Sequence, residues 1–515
     1  MELFKRNSMG NPLNAIKESL AELAPGGELN LENLASELPQ KPALKFENKT
    51  ISYGEYIKKI KTKSEQLLSI GIYPGQRVAV NFNDPLEGII MIFSLMIVKA
   101  IAVLLPTKAT KKEIEKILNI SKADQVRQSP TSNFKKGKLR FLIINIYRPA
   151  TIVFTSGSQG KPKAVVHTAA NHIFSALGSA HNIPLCSDDT WMIALPLYHV
   201  SGLSIIFRTM CYGACSLITS KVSFRNKTAP EVRLLDQSTH LSLVETQFQR
   251  LFQMSEVDLS YPSKKAILIG GSSLSSNLLQ LALKAGIPVC GSYGCTEMGS
   301  QISTTSLRNP KETFRTTGKV LPFRKVKIDS SGEILLGGAT LCAGYIHGDN
   351  WKKITNNQGF FASGDIGKFC NSELKIIGRK DALFICGGEN IQPEEIELVL
   401  KAHPDILEAI CVPVPDTEYG KKPVAFISVK NNLMIPDNLN DHLQFHLAKY
   451  KHPKKIFDLK IYNEAYNSSS IKYNRTDLTY FATKLMNTYE EFLRYFSYFL
   501  TFFIKNYMVS NNSCT

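Results

Sequence analysis

The sequence predicts an α/β protein. It has a large N-terminal domain of doubly wound sheets with a small β-barrel-like part, then a small α+β C-terminal domain. Three observations carry that prediction. From Ala43 onward, short runs rich in Ile and Val alternate with longer segments of helical apolar spacing. Several of those runs end in glycine-rich turns, the side on which an open α/β sheet binds its ligands. After Gly318 the pattern changes to short strands separated by turns, and after Lys380 it changes again.

Residues 1 to about 40 read as a variable lead-in broken by Pro25-Gly26-Gly27. Leu44-Lys45-Phe46 alternates, Asn48-Lys49 turns, and Ile51-Ser52-Tyr53 begins a second run. Ser52 or Tyr53 then leads a helix with apolar Ile57, Ile60 and Leu67-Leu68, stopped by Gly71 and Pro74-Gly75. Val78-Ala79-Val80 is a strand, about Pro85 to Ala100 a helix, and Ala102 to Leu105 the next strand. The apolar run Gly88 to Ala102 is interrupted by Lys99 and too short to span a bilayer, so it reads as a buried core helix. Residues 129 to 140 form an exposed connector.

The connector leads to Thr155-Ser156-Gly157-Ser158-Gln159-Gly160-Lys161-Pro162-Lys163, set between Ile152-Val153-Phe154 and Ala164-Val165-Val166. Glycines let successive backbone N–H groups turn inward, while hydroxyls and ammonium groups add donors. Such a concavity suits a polyphosphate; the alternative is a solvated Gly/Ser turn. Only two residues separate Gly157 from Gly160 and Pro162 follows Lys161, so this is not a Walker A loop. The flanking runs predict a loop joining two strands rather than opening a helix.

Trp191 to Pro196 reads as a strand running into Leu197-Tyr198-His199-Val200-Ser201-Gly202. His199 is open to two readings, a pocket-wall residue or an inert half-buried one. Ala266 to Ile269 is a buried strand ending in Gly270-Gly271-Ser272, with a helix following to about Lys284. Ile287-Pro288-Val289 is a strand leading to Tyr293-Gly294-Cys295-Thr296-Glu297. That segment groups an aromatic for stacking, a hydroxyl for phosphate and a carboxylate for a metal. Short strands then lead to Ser363-Gly364-Asp365, to Ile376-Ile377-Gly378-Arg379, and to Gly387-Gly388-Glu389-Asn390.

We place a domain boundary at Lys380-Asp381, giving a large domain over 41–380 and a small one over 381–485. Pro393-Glu394-Glu395 starts a helix with acids in its first turn. Strands at Ala409 to Val414 and Val424 to Val429 and a helix near Asp437 to Lys449 complete the small domain. Residues 486–515 are an aromatic-rich tail including Phe492, Tyr495, Phe496, Phe499 and Phe502. It cannot span a bilayer; it could lie on a membrane surface or in a partner groove, or pack on the small domain.

The composition is globular, with 43% hydrophobic and 20% charged residues. The net charge of +17 is spread as a general lysine bias without interleaved aromatics, which argues against nucleic acid as a partner. Ten cysteines form no CxxC pair, so neither zinc nor a disulfide framework is supported and a cytoplasmic, reducing location fits best. No secretory signal is visible at Met1 to Gly10. The oligomeric state is left open, a homo-oligomer included.

Thr155–Lys163, Tyr293–Glu297, Ser363-Gly364-Asp365 and Gly378-Arg379, in that order, resemble the adenylate-forming superfamily of acyl-CoA synthetases over about residues 40 to 485. Within it His172, Ser175–Ala180, Pro196–Ser204 and Glu297–Ile302 are similar to the 2-succinylbenzoate–CoA ligases of menaquinone biosynthesis. The resemblance implies an enzyme, an AMP-forming acid–CoA ligase with ATP and CoA as co-substrates and Mg²⁺ as cofactor. By it Glu297 holds the metal, while Thr155, Ser156, Gly157, Ser158, Gly160, Lys161 and Thr296 bind phosphate. Tyr293 stacks on adenine beside Gly294, with Gly270, Gly271 and Ser272 allowing close backbone approach. Asp365 and Arg379 take the ribose. Lys472, in Ser470-Ile471-Lys472-Tyr473-Asn474-Arg475, is the adenylation lysine and with Thr155 and Glu297 makes the catalytic set. Asp381 is the hinge of a mobile small domain, and Gly387 and Gly388 lie toward CoA.

His199, Ser201, Gly202, Ser300 and Gln301 are the candidate walls for the acid, with Arg208 or Lys319 as cation for a second carboxylate. Three residues depart from the family pattern: Ile471 and Ala164 where glycine is usual, and Ala362 at a position usually polar. A ligase for another aryl or fatty acid is the alternative within enzymes, and Ile471, Ala164 and the aromatic tail keep open a decayed homologue that binds a nucleotide or partner without catalysis.

Overall fold

The computed structural model describes residues 27–107, 109–124, 139–155, 162–219, 234–252, 259–260, 264–271, 276–307, 316–430, 434–466 and 473–489. By their internal contacts the chain divides into two units. The first comprises Met1–Leu274, Leu278–Ser363 and Gly367–Ile376, and the second Ser275–Asn277, Gly364–Ile366 and Ile377–Thr515.

A six-stranded sheet in the first unit runs in the order Asn350–Lys352, Gly344–His347, Lys163–Thr168, Pro149–Thr155, Ile101–Leu104, Arg77–Val80. A thirteen-stranded sheet carries a parallel block: Pro42–Phe46, Cys215–Ile218, Thr190–Ile193, His240–Leu243, Ala266–Ile269 and Val289–Cys295. Cys215–Ile218, Thr190–Ile193, His240–Leu243 and Ala266–Ile269 are buried along their whole length, covered on both faces. From Val289–Cys295 the pairing turns antiparallel through Ser300–Thr304 and Lys319–Val320. The β-rich part after Gly318 is thus continuous with the large sheet.

The helices between the sheets follow from capping and burial. In Tyr53–Ser69, Ser52 caps the start in a reciprocal box with Glu55, and Tyr53, Tyr56, Ile57, Ile60, Ser64 and Leu67 form the buried stripe. Pro85–Ile97 starts on an Asp84 cap with Pro85 in its first turn. Gly88 to Ile90 and Ile92 to Ile97 are buried, the inner helix that its apolarity predicts. Ala169–Ala180 opens on a capping box of Thr168 with Asn171. Among the described residues no helix is long and apolar enough to cross a membrane, and the nine described cysteines are free thiols.

The second unit pairs Ile406–Asp416 antiparallel with Gly420–Val429, and the latter parallel with Ile456–Asp458. Helices Pro393–Ala402, Leu439–His446, Leu459–Tyr466 and 475–489 accompany this sheet. The tail beyond Tyr489 lies outside the described residues.

One local expectation is corrected. The strand read over Trp191 to Pro196 stops at Ile193, and His199 is the residue before helix Val200–Tyr212. The Tyr293–Glu297 motif divides between two elements. Tyr293, Gly294 and Cys295 lie in the strand Val289–Cys295, and Thr296 and Glu297 in a single 3₁₀ turn to Met298. The antiparallel partner Ser300–Thr304 provides the reason, because it extends the strand's ladder past the parallel block.

Candidate active site

Parallel pairing aligns three strand ends. Leu243 lies opposite Ile269, and Ile269 opposite Gly291. Gly270 and Gly271 therefore leave their strand beside Ser292, whose hydroxyl donates to the Ile269 carbonyl at 3.1 Å. Ser272 lies outside the described residues.

Thr155 ends its strand paired with Lys163 across an antiparallel register, so the segment between them joins two strands as expected. Ser156, Gly157, Ser158, Gly160 and Lys161 are outside the described residues. Ala164 is buried in the second strand opposite Phe154 and is not among the residues with positive φ, so no glycine is required there. Lys163 Nζ lies 5.3 Å from the centre of the Tyr345 ring. The Tyr345 hydroxyl in turn donates to Glu297 Oε1 at 2.6 Å. Burial, then the Glu297 charge, pushes the Tyr345 phenol far above its usual range, so it remains a donor. Lys163, Tyr345 and Glu297 thus connect the exit of the phosphate-loop candidate to the carboxylate of the second motif.

A register shift between Tyr293 and Gly294 re-aims that motif. Tyr293 is half-buried and packs on a cluster formed by Met298, Ile302, Ile334, Leu336 and Leu374. His167, fully buried, bonds through Nε2 to the Thr296 carbonyl at 2.8 Å and so holds the turn that bears Glu297. Burial lowers the His167 pKa to about 4, which keeps the ring neutral. His172, stacked on Phe207 with centroids 4.5 Å apart, bonds Thr151 Oγ1 at 2.8 Å. Gly299 closes the turn at φ 65°, and Ser300 follows at φ 146°, an unusual value for a residue with a Cβ.

The candidate acid walls come from two elements. His199 is exposed, with its ring 4.6 Å from that of Tyr198. Ser201 and Gly202 lie in the first turn of helix Val200–Tyr212. Ser300 and Gln301 begin the neighbouring strand and meet Arg208 from that helix: Arg208 Nη2 donates to Ser300 Oγ at 3.2 Å and to Gln301 Oε1 at 2.8 Å. Arg208 is 2% exposed and has its guanidinium 5.0 Å from the Trp191 ring centre. Its Nε has no partner, and it has no carboxylate partner among the described residues. Burial depresses its pKa to about 9. Lys319, the other candidate cation, is exposed.

Within the second unit Asp365 Oδ1 meets Arg379 Nη1 at 3.0 Å. Arg379 also reaches Asp381 through Nε at 3.0 Å and Nη2 at 3.2 Å. One guanidinium therefore joins both residues assigned to the ribose to the residue assigned to the hinge. Gly364 (φ 74°) makes the approach possible, since a Cβ there would lie 2.9 Å from Arg379 Nη2. Gly387 and Gly388, both at positive φ, form the two-residue turn between Phe384–Cys386 and Glu389–Ile391.

Lys472 and Ile471 are outside the described residues. Arg475, the other end of their motif, anchors it: Nη1 donates to the Cys411 carbonyl at 2.6 Å, and Nη2 meets Glu397 at 2.9 Å and Glu394 at 3.2 Å. Two contributors escaped the sequence reading, Tyr345 and His167. They reach the site from the strands Gly344–His347 and Lys163–Thr168, and only the pairing of those strands brings them there.

A magnesium ion can be tested against this donor set. Mg²⁺ keeps several waters and binds through one or two carboxylates together with substrate phosphates. Glu297, a single oriented carboxylate, fits that mode, and among the described residues no group of three or more His, Cys, Asp or Glu side chains could hold a metal ion.

The family described as "AMP-binding enzyme" matches residues 31–128 and 143–346, and "AMP-binding enzyme C-terminal domain" matches 395–460. A 2-succinylbenzoate–CoA ligase from Listeria monocytogenes is 31% identical over 436 residues, 81% of this chain and 92% of the relative. The structure of o-succinylbenzoate CoA synthetase from Bacillus subtilis with its acyl-adenylate intermediate is similar at TM-score 0.74 and 30% identity, covering 84% of this chain and 95% of that one. The same Bacillus subtilis enzyme with ATP and a magnesium ion matches at TM-score 0.74 and 30% identity, covering 84% and 96%.

Proposed function

The chain belongs to the AMP-binding enzyme family, and on that premise we propose that it is an AMP-forming acid–CoA ligase for 2-succinylbenzoate in menaquinone biosynthesis. A substrate carboxylate oxygen attacks the α-phosphorus of ATP and expels pyrophosphate. The CoA thiol then attacks the acyl carbon of the adenylate, loses its proton and releases AMP.

The first step brings two anions together, so screening dominates its barrier. Thr155 and Thr296 would donate hydroxyls to the phosphates, and Lys472 would supply positive charge to the first step. Glu297, fixed by Tyr345, would hold Mg²⁺, which when bound neutralises phosphate charge. Tyr293 would stack on adenine. Asp365, held by Arg379 Nη1, would accept from a ribose hydroxyl. Asp381 would serve as the hinge and the Gly387-Gly388 turn would face CoA. The free thiols suit a reducing cytosol.

The observation that carries the choice of acid is Arg208. A buried guanidinium without a carboxylate is unfavourable unless an anion joins it. An acid with a second carboxylate supplies one. The test is ATP–pyrophosphate exchange with 2-succinylbenzoate, benzoate, other aryl acids and fatty acids. Exchange strongest with 2-succinylbenzoate supports the reading. Exchange with another acid alone, or nucleotide binding without exchange, overturns it.

A further inference from the structure

A second guanidinium stands close to Arg208. Arg324 is 7% exposed, and among the described residues it too has no carboxylate partner. Nε donates to the Gln301 carbonyl at 2.9 Å, Nη1 to the Pro322 carbonyl at 2.8 Å, and Nη2 to the Ser175 carbonyl and hydroxyl at 3.1 and 3.2 Å. Its fork thereby ties helix Ala169–Ala180 to the strand that begins with Ser300 and Gln301. Gly178 provides the space, because a Cβ there would lie 1.8 Å from Nη1.

Gln301 is held from every side. Oε1 accepts from Ser179 Oγ at 2.7 Å and from Arg208 Nη2 at 2.8 Å, while Nε2 donates to Thr304 Oγ1 at 2.8 Å. A guanidinium can only donate, so the amide oxygen must face Arg208. Two buried cations in one neighbourhood oppose each other. Burial first, and Arg208 second, lower the pKa of Arg324 to about 9. A purely structural tie could use a neutral side chain. A charged one deepens the positive potential that an anion would feel.

We infer that Arg324 is a positioning residue for acid selection: by fixing Gln301 it sets the direction of the Arg208 guanidinium and raises discrimination for a dicarboxylic over a monocarboxylic acid. The inference rests on the dicarboxylate reading above. Its test compares wild type, R324K and R324Q in pyrophosphate exchange with 2-succinylbenzoate and with 4-oxo-4-phenylbutanoate, which lacks the ring carboxylate.

Lysine keeps the charge but cannot bridge three carbonyls. R324K should therefore raise KM for 2-succinylbenzoate about tenfold, with kcat and both constants for the monocarboxylate within about twofold. R324Q should raise it further. Equal loss for both acids, or an unchanged ratio between them, removes Arg324 from this role even if thermal stability falls. If R324Q does not fold, Ser179→Ala loosens Gln301 from the other side. It should shift the ratio in the same direction, and no shift overturns the inference. A wild type that does not prefer the dicarboxylate sinks the functional reading itself, an outcome distinct from a preference that survives R324K.

Discussion

Replacing Arg208 by methionine removes a buried charge while keeping much of the side-chain volume. Its Nη2 bonds to Ser300 and Gln301 are lost. Gln301 Oε1 keeps Ser179 as a donor, however, and Ser300 is only half-buried, so neither acceptor is stranded. Removing one partner of a buried, hydrogen-bonded charge pair weakens binding by about 3 kcal/mol, which is about 150-fold in kcat/KM. R208M should therefore lose about that much with 2-succinylbenzoate and less than about threefold with 4-oxo-4-phenylbutanoate.

Stability should move the other way. A buried guanidinium that meets no carboxylate among the described residues destabilises the free protein, so urea unfolding should show R208M unchanged within about 1 kcal/mol or more stable. Steady-state pyrophosphate exchange with both acids and urea midpoints together decide the matter. Equal loss with both acids, or a stability drop above about 3 kcal/mol, would refute the reasoning, because Arg208 would then be a structural strut.

Tyr345→Phe removes the hydroxyl that orients Glu297, and the Mg²⁺ concentration for half-maximal exchange should rise about tenfold; an unchanged magnesium dependence counts against Glu297 as the metal residue. Lys472→Ala should suppress adenylate formation at least about 100-fold while thioester formation from preformed adenylate changes little. Single-turnover assays of each half-reaction separate the two, and equal loss would take Lys472 out of its role. Burial lowers the pKa values of His167 and His240 to about 4, below the unfolded 6.5, so the unfolded chain binds more protons. Their stabilisation is complete above pH 6.5 and lost as pH falls from 6.5 toward 4, about 3 kcal/mol each at the limit. Urea midpoints from pH 7.5 to 4.5 should fall, and the fall should shrink in H240Q; an identical slope in that variant would contradict the assignment.

Local signals made the architecture readable. Ser52 is a cap whose side chain bonds within three residues, so the start of helix Tyr53–Ser69 could be read from the sequence; the same local chemistry at Thr168 begins a helix that the sequence reading passed over. Ala266–Ile269 could be read as a buried strand because a strand covered on both faces favours apolar residues throughout, whereas Cys215–Ile218 and His240–Leu243, interrupted by Ser216 and Ser242, gave no such signal. Glycine-rich strand ends and the motifs at Thr155, Tyr293–Glu297 and Asp365 could be named for the same reason, their chemistry being concentrated in a few consecutive positions.

Tertiary structure alone decided how those positions are served. Tyr345 reaches Glu297 across 48 residues, Arg208 reaches Gln301 across 93, and Arg324 reaches Ser175 across 149. No periodicity encodes such distances; they follow from which strand pairs with which. Likewise the difference between Arg208, buried, and Lys319, exposed, depends on the neighbours that the fold assembles. Sequence determined the elements and the chemistry each carries. Only packing determined which charges lost their water, because desolvation is set by distant segments and not by the local sequence.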